Sequence, residues 1–144
     1  MGEVRDIRSA SSVRSRRPET QDELVLPVQP TAARVARRWV MQIAAAAGIG
    51  GAANQTAELL TGELVANTVV HGPRDADVIV RVQVLGSILR VEVHDEGPGG
   101  VTLRRTEPTA PSGRGLALVD ALAESWGTTT DGDGTLVWFE LEAF

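Results

Sequence analysis

The sequence predicts an α+β domain, a two-layer α/β sandwich in which one mixed, mostly antiparallel sheet carries helices on one face. Three observations predict it. Three segments place apolar residues at helical spacing. Several short segments instead alternate apolar and polar residues, and two pairs of them are joined by tight-turn residues. The resulting order is strand, helix, helix, strand, strand, helix, strand, strand, and 144 residues fit one such domain.

The elements follow in order. Residues 1–22 are rich in Ser, Arg and Glu and are expected to be a disordered leader, with the domain proper at 23–144. Leu24 to Val28 reads as a short strand, stopped by Pro27 and Pro30. Thr31 is placed to cap a helix over about 32–47, with Val35, Trp39 and Ile43 at helical spacing, and Gly48, Gly50 and Gly51 end it. A second helix is predicted over about 53–71, its buried face including Leu60, Leu64 and Val70, with Gly72 and Pro73 as the stop. Val78, Val80, Val82 and Val84 share one face of the next strand. Gly86 and Ser87 turn the chain into a partner strand with Leu89, Val91 and Val93 on one face.

Residues 96–113 hold four glycines and three prolines without periodicity, and a loop of that length in a small domain is usually functional or disordered. A third helix is predicted over about 114–126, with Leu116, Val119, Ala123 and Trp126 on one stripe and Gly127 at its end. Strands near 127–131 and 135–141 close the domain across an Asp-Gly-Asp-Gly turn.

Composition excludes several functions. The chain has no cysteine, which removes disulfides and thiolate metal sites and makes a cytoplasmic location the simplest expectation. No apolar run is long enough to span a membrane, and Met1 to Ala10 has no signal-peptide core. Net charge is −5; Arg5, Arg8, Arg14, Arg16 and Arg17 against Glu3 and Asp6 make residues 1–17 net +3, leaving −8 for the rest. An acidic body argues against nucleic acid as a direct partner. All fourteen basic residues are arginine. Without lysine there is no P-loop, no strand lysine of the common protein kinases and no Schiff-base chemistry.

Three polar features interrupt the apolar pattern. Glu63 and Asn67 are four apart on one helix face, beside the row through Leu60 and Leu64. Asp95 shares parity with Leu89, Val91 and Val93, so its carboxylate faces the core and needs a donor: a backbone N–H of the next loop, or the exocyclic amine of a purine. Gly97 and Gly99 follow it and permit close approach of a ligand. Gly113-Arg114-Gly115 opens the third helix, where free N–H groups and the helix dipole favour an anion.

The order of these features resembles the N, G1 and G2 boxes of the GHKL ATPase superfamily. The matching text is Glu63-Leu-Val-Ala-Asn67-Thr-Val-Val-His71-Gly72, then Asp95-Glu-Gly97-Pro-Gly99, then Gly113-Arg-Gly115-Leu-Ala-Leu. Within the superfamily the chain is similar to the anti-sigma factor serine/threonine kinases, especially the stand-alone ATP-binding regulators of actinobacteria. The ending Gly134-Thr-Leu-Val-Trp-Phe-Glu-Leu141 is similar to theirs too. The resemblance covers about 24–144.

It implies a Bergerat-type ATP-binding fold whose cofactors are ATP and Mg²⁺. By resemblance, Asn67 coordinates the metal, Glu63 is the general base, and Asp95 binds the adenine amine. Gly97 and Gly99 shape the pocket, Gly113 and Gly115 meet the phosphates, and Arg114, Leu116 and Thr135 complete the nucleotide-binding set. Residues 96–112 become the ATP lid, with Arg104 and Arg105 in it. The implied function is to sequester a sigma factor and to phosphorylate an anti-anti-sigma partner, and a homodimer is expected. An alternative is a non-catalytic ATP-binding module. His71 is expected to pack locally rather than accept phosphate, and no separate helical phosphoacceptor domain is expected before the pocket. The chain departs from the family at Gly100, often an apolar residue there, at Ala117, often glycine, and at Leu136, which follows Thr135 where relatives often carry Thr-Thr or Lys-Thr.

Overall fold

The computed structural model describes residues 20–71, 76–96, 111–132 and 134–144. The elements are β1 (Thr20–Pro27), α1 (Ala32–Ala46), α2 (Gly51–His71), β2 (Asp77–Leu85), β3 (Ile88–Glu96), α3 (Pro111–Leu122), β4 (Ser125–Asp131) and β5 (Gly134–Glu142). The five strands form one sheet in the order β1-β2-β3-β5-β4, and all four pairings are antiparallel. The α+β sandwich read from the sequence is therefore the architecture found.

The core lies between one sheet face and the helices. Val78, Val80, Val82 and Val84 of β2 meet Leu89, Val91 and Val93 of β3 and Phe139 and Leu141 of β5. The buried row of α1 is Ala32, Ala36, Val40 and Ala44, one position along from the row Val35, Trp39, Ile43. Small residues there let α1 close on α2, and Val35 is left exposed. Gly48 takes a φ of +86°, which returns the Ile49 amide to the Ala44 carbonyl at 2.9 Å. Asn54 then ties the corner, its Nδ2 donating to the carbonyls of Ile49 at 2.9 Å and Met41 at 3.2 Å.

Four expectations need correction. Thr31 is already helical at φ −84° and makes no side-chain cap bond; the amide of Ala32 instead donates to the Gln29 carbonyl at 2.9 Å. Val70 is 67% exposed, because the buried row of α2 runs through Leu60, Leu64 and Thr68, and two further residues turn it about 200° away. β1 starts at Thr20 rather than Leu24, since its polar first half pairs with β2 from Thr20 opposite Val84. Lastly, α3 spans 111–122 rather than 114–126. Pro111 suits a first helical position. At the other end the Glu124 amide donates to the Glu140 carbonyl at 2.8 Å, which draws Trp126 and Gly127 into β4.

The outer sheet face carries a row of charges. Arg90 lies over the Trp138 ring, 4.3 Å from its centroid, and its guanidinium reaches Glu92 and Glu140 at 3.0 Å each. The indole in turn lies on Gly127, where a β-carbon would sit 2.8 Å from the ring. Gly127→Ala is therefore expected to lift Trp138 and loosen the Arg90 stack, at about 1–3 kcal/mol. Urea unfolding followed by tryptophan emission checks this; an unchanged midpoint would contradict the packing described.

Candidate functional site

Helix α2 presents Glu63 and Asn67, both half-buried, toward the first turns of α3. Gly115 is where the two helices meet. A β-carbon built there would lie 3.0 Å from Asn67 Nδ2 and 3.5 Å from Glu63 Cβ. The glycine thus makes room for the carboxamide, and Glu63 and Asn67 meet α3 at this point.

Asp95 sits at the end of β3, on the core face, and is 3% exposed. Its register partners are Val78 on β2 and Thr135 on β5. The backbone N–H of Thr135 donates to Asp95 Oδ1 at 3.1 Å. Thr135 is buried as well, and its hydroxyl lies 3.5 Å from that of Thr130 on β4. A buried carboxylate held by a backbone N–H keeps a fixed orientation and stays a charged acceptor. A short link joins His71 to Asp77, beside Val78, so the C-terminal half of α2 and Asp95 share one end of the sheet.

Leu116 is partly buried against the core beside Gly115. Gly113 and Arg114 belong by backbone to the first turn of α3. Gly97, Gly99, Gly100, Arg104 and Arg105 lie outside the described residues, as does most of the segment 96–112 expected to be a lid. His71 ends α2 with its Nε2 buried and no hydrogen bond to the described residues. Sequence reading missed Thr130. The register of the Asp-Gly-Asp-Gly turn was the available signal, since it sets Thr130 opposite Thr135.

For a metal, the described residues offer the Asn67 amide oxygen and the Glu63 carboxylate, both hard oxygen donors. Among the described residues no three His, Cys, Asp or Glu gather into a cage. Mg²⁺ suits such a sparse set, because it commonly takes one or two protein oxygens and completes its shell with water and phosphate. No helix among the described residues is long and apolar enough to cross a membrane.

Gly115→Ala is expected to displace the Asn67 carboxamide while leaving the fold intact, weakening nucleotide binding about tenfold. Fluorescence titration with a nucleotide analogue, alongside thermal unfolding, checks both halves of this expectation.

Comparison with known proteins gives three results. A family model described as "Histidine kinase-like ATPase domain" matches residues 26–141. Among solved structures, the chain is similar to the RsbU and RsbW domains of Rv1364c from Mycobacterium tuberculosis, with a TM-score of 0.69 and 22% identity, covering 87% of this chain and 32% of that one. It is also similar to the histidine kinase domain of a blue-light activated histidine kinase from Erythrobacter litoralis EL346, with a TM-score of 0.49 and 22% identity, over 75% of this chain and 61% of that one. No curated protein matches in sequence. The chain thus spans about a third of the mycobacterial chain it resembles.

Proposed function

Because the chain belongs to the histidine kinase-like ATPase domain family, we propose that it binds ATP with Mg²⁺, sequesters a sigma factor and phosphorylates a serine or threonine of an anti-anti-sigma partner. The observation that carries the reading is the buried Asp95, held by the Thr135 amide at 3.1 Å, at the same end of the sheet as Glu63 and Asn67.

Asp95 accepts the exocyclic amine of adenine through its buried carboxylate. Buried acceptors of this kind discriminate well, because a base offering no donor there leaves the carboxylate unpaired. Asn67 would hold the metal through its amide oxygen, and the start of α3 would receive the phosphates, with Gly113, Gly115 and Arg114 supplying N–H groups and one positive charge. Bound Mg²⁺ would neutralise phosphate charge. Glu63 takes the proton of the acceptor hydroxyl as its oxygen bonds to the γ-phosphorus and ADP leaves. The remaining acceleration comes from positioning and charge stabilisation. Gly97 and Gly99 shape the adenine end and the lid limits water, as the family resemblance implies. The protein works in the cytoplasm as a homodimer on this reading.

A second reading is favoured by Gly100, Ala117 and Leu136, which depart from the family pattern. On it the chain is a binding module, and ATP sets its affinity for partners without transfer. One experiment separates the two. The protein is incubated with γ-labelled ATP, Mg²⁺ and candidate anti-anti-sigma proteins. Label on a partner serine or threonine is the expected result; ATP binding with no label on any partner favours the module.

A further inference from the structure

We propose that Arg37, laid across Gly62, is the residue through which α1 and α2 grip an acidic segment of the phosphoacceptor protein; the proposal rests on the transfer reading above. The arginine crosses from one helix to the other. A β-carbon built on Gly62 would fall inside the Arg37 stem, closer to Cδ and Cγ than atoms can approach, with Nε at 3.5 Å. Gly62 is buried although it has no side chain, while Arg37 is exposed. The aliphatic stem therefore covers the glycine and leaves the charged head to solvent.

That head has no ion pair among the described residues, although Glu58 lies one turn before Gly62 and Glu63 one residue after it. Arg81 and Arg90, on the sheet, are both paired to carboxylates. Helix α1 carries Arg34, Arg37 and Arg38, all exposed, and no acid. The chain as a whole is −5. An acidic partner is thus disfavoured by the net charge and drawn to this one helix. Burial of the stem on Gly62 also fixes much of a side chain that otherwise loses rotamer entropy on contact. A carboxylate meets a guanidinium already in place.

The place of the charge matches the reaction. Gly62 and Glu63 are successive residues of α2; Arg37 arrives at the first from α1, and the second has its β-carbon beside Gly115 of α3. A hydroxyl brought to Glu63 enters between α2 and α3, so the protein that carries it lies over the outward side of α2. There Leu59 is 39% exposed and Val70 67% exposed. With Ala66 they recur at i, i+7 and i+11, one apolar stripe beside the cation. The occupant that fits is a segment with a carboxylate on one edge and apolar side chains on the other, on the same protein as the accepting serine or threonine.

The test follows phosphotransfer by the full-length protein, from γ-labelled ATP to the protein that takes the label, over a range of acceptor concentrations. Arg37→Gln is expected to raise KM for the acceptor about tenfold, the loss of one charge-assisted hydrogen bond. The change in kcat should be much smaller, and ATP affinity and the thermal midpoint should stay at parental values. Gly62→Ala keeps the charge but pushes the stem off α2, and it should raise the same KM. Added salt should raise KM for the parent and barely move it for Arg37→Gln. An unchanged KM in both variants, or a rise matched by lost ATP affinity, overturns the proposal while leaving transfer itself standing. Loss of a dimer by Arg37→Gln on gel filtration, in step with KM, assigns the face to a second copy and overturns it as well. A parent that labels no acceptor removes the transfer reading, and the occupant named here with it.

Discussion

Glu63→Gln is expected to abolish phosphotransfer to the partner while leaving ATP binding nearly unchanged. A positioned general base contributes on the order of 10²–10⁴ in rate, and glutamine keeps the size of the side chain while losing the proton acceptor. Glu63 is half-buried on α2 with its β-carbon beside Gly115, so an isosteric amide needs no repacking. Single-turnover transfer of labelled phosphate, measured beside nucleotide affinity, checks both parts. Transfer at the parental rate would remove Glu63 from the base role. A parallel loss of ATP affinity would mean that it binds rather than reacts.

Asp95→Asn is expected to weaken ATP binding by about 10–150-fold, the equivalent of one hydrogen bond to a charged group at about 1.5–3 kcal/mol. The substitution sets up a conflict. The Thr135 N–H requires an acceptor at 3.1 Å and occupies the amide oxygen of the new side chain. The NH₂ then faces the adenine amine, donor against donor. Folding suffers little, because the Thr135 bond survives. A variant that unfolds at the parental midpoint yet binds ATP poorly is the expected outcome, measured by thermal unfolding and equilibrium titration.

Much of this was legible in the residues. The alternation in β2 and β3 alone places Asp95 on the core face, because strand parity leaves a single choice once Leu89, Val91 and Val93 are inward. The spacing of Glu63 and Asn67 fixed their common helix face, and the glycines at 113 and 115 marked where a second element approaches. What sequence could not supply was the donor for Asp95. The Thr135 amide is forty residues away and becomes adjacent only through β3–β5 pairing. The end of α3 was misplaced for a related reason. Trp126 continues the helical stripe of Leu116 and Val119, but pairing of Ser125 with Glu140 pulls it into β4, and tertiary hydrogen bonding outweighs local periodicity. The polar half of β1 was hidden likewise, since Gln21, Asp22 and Glu23 have no apolar alternation and are strand only because β2 pairs with them. The Arg90–Trp138–Gly127 stack shows the same limit: it joins three strands, and none of its members is notable alone.

The central claim is that one pocket reads adenine with Asp95 and holds metal-bound phosphate with Asn67. Calorimetric titration of ATP into the parent protein and into Asp95→Asn, each with and without Mg²⁺, tests it most directly. The account predicts Mg²⁺-dependent binding by the parent and a large loss of affinity in the variant under both conditions. No binding by the parent, or equal affinity in parent and variant, would contradict it.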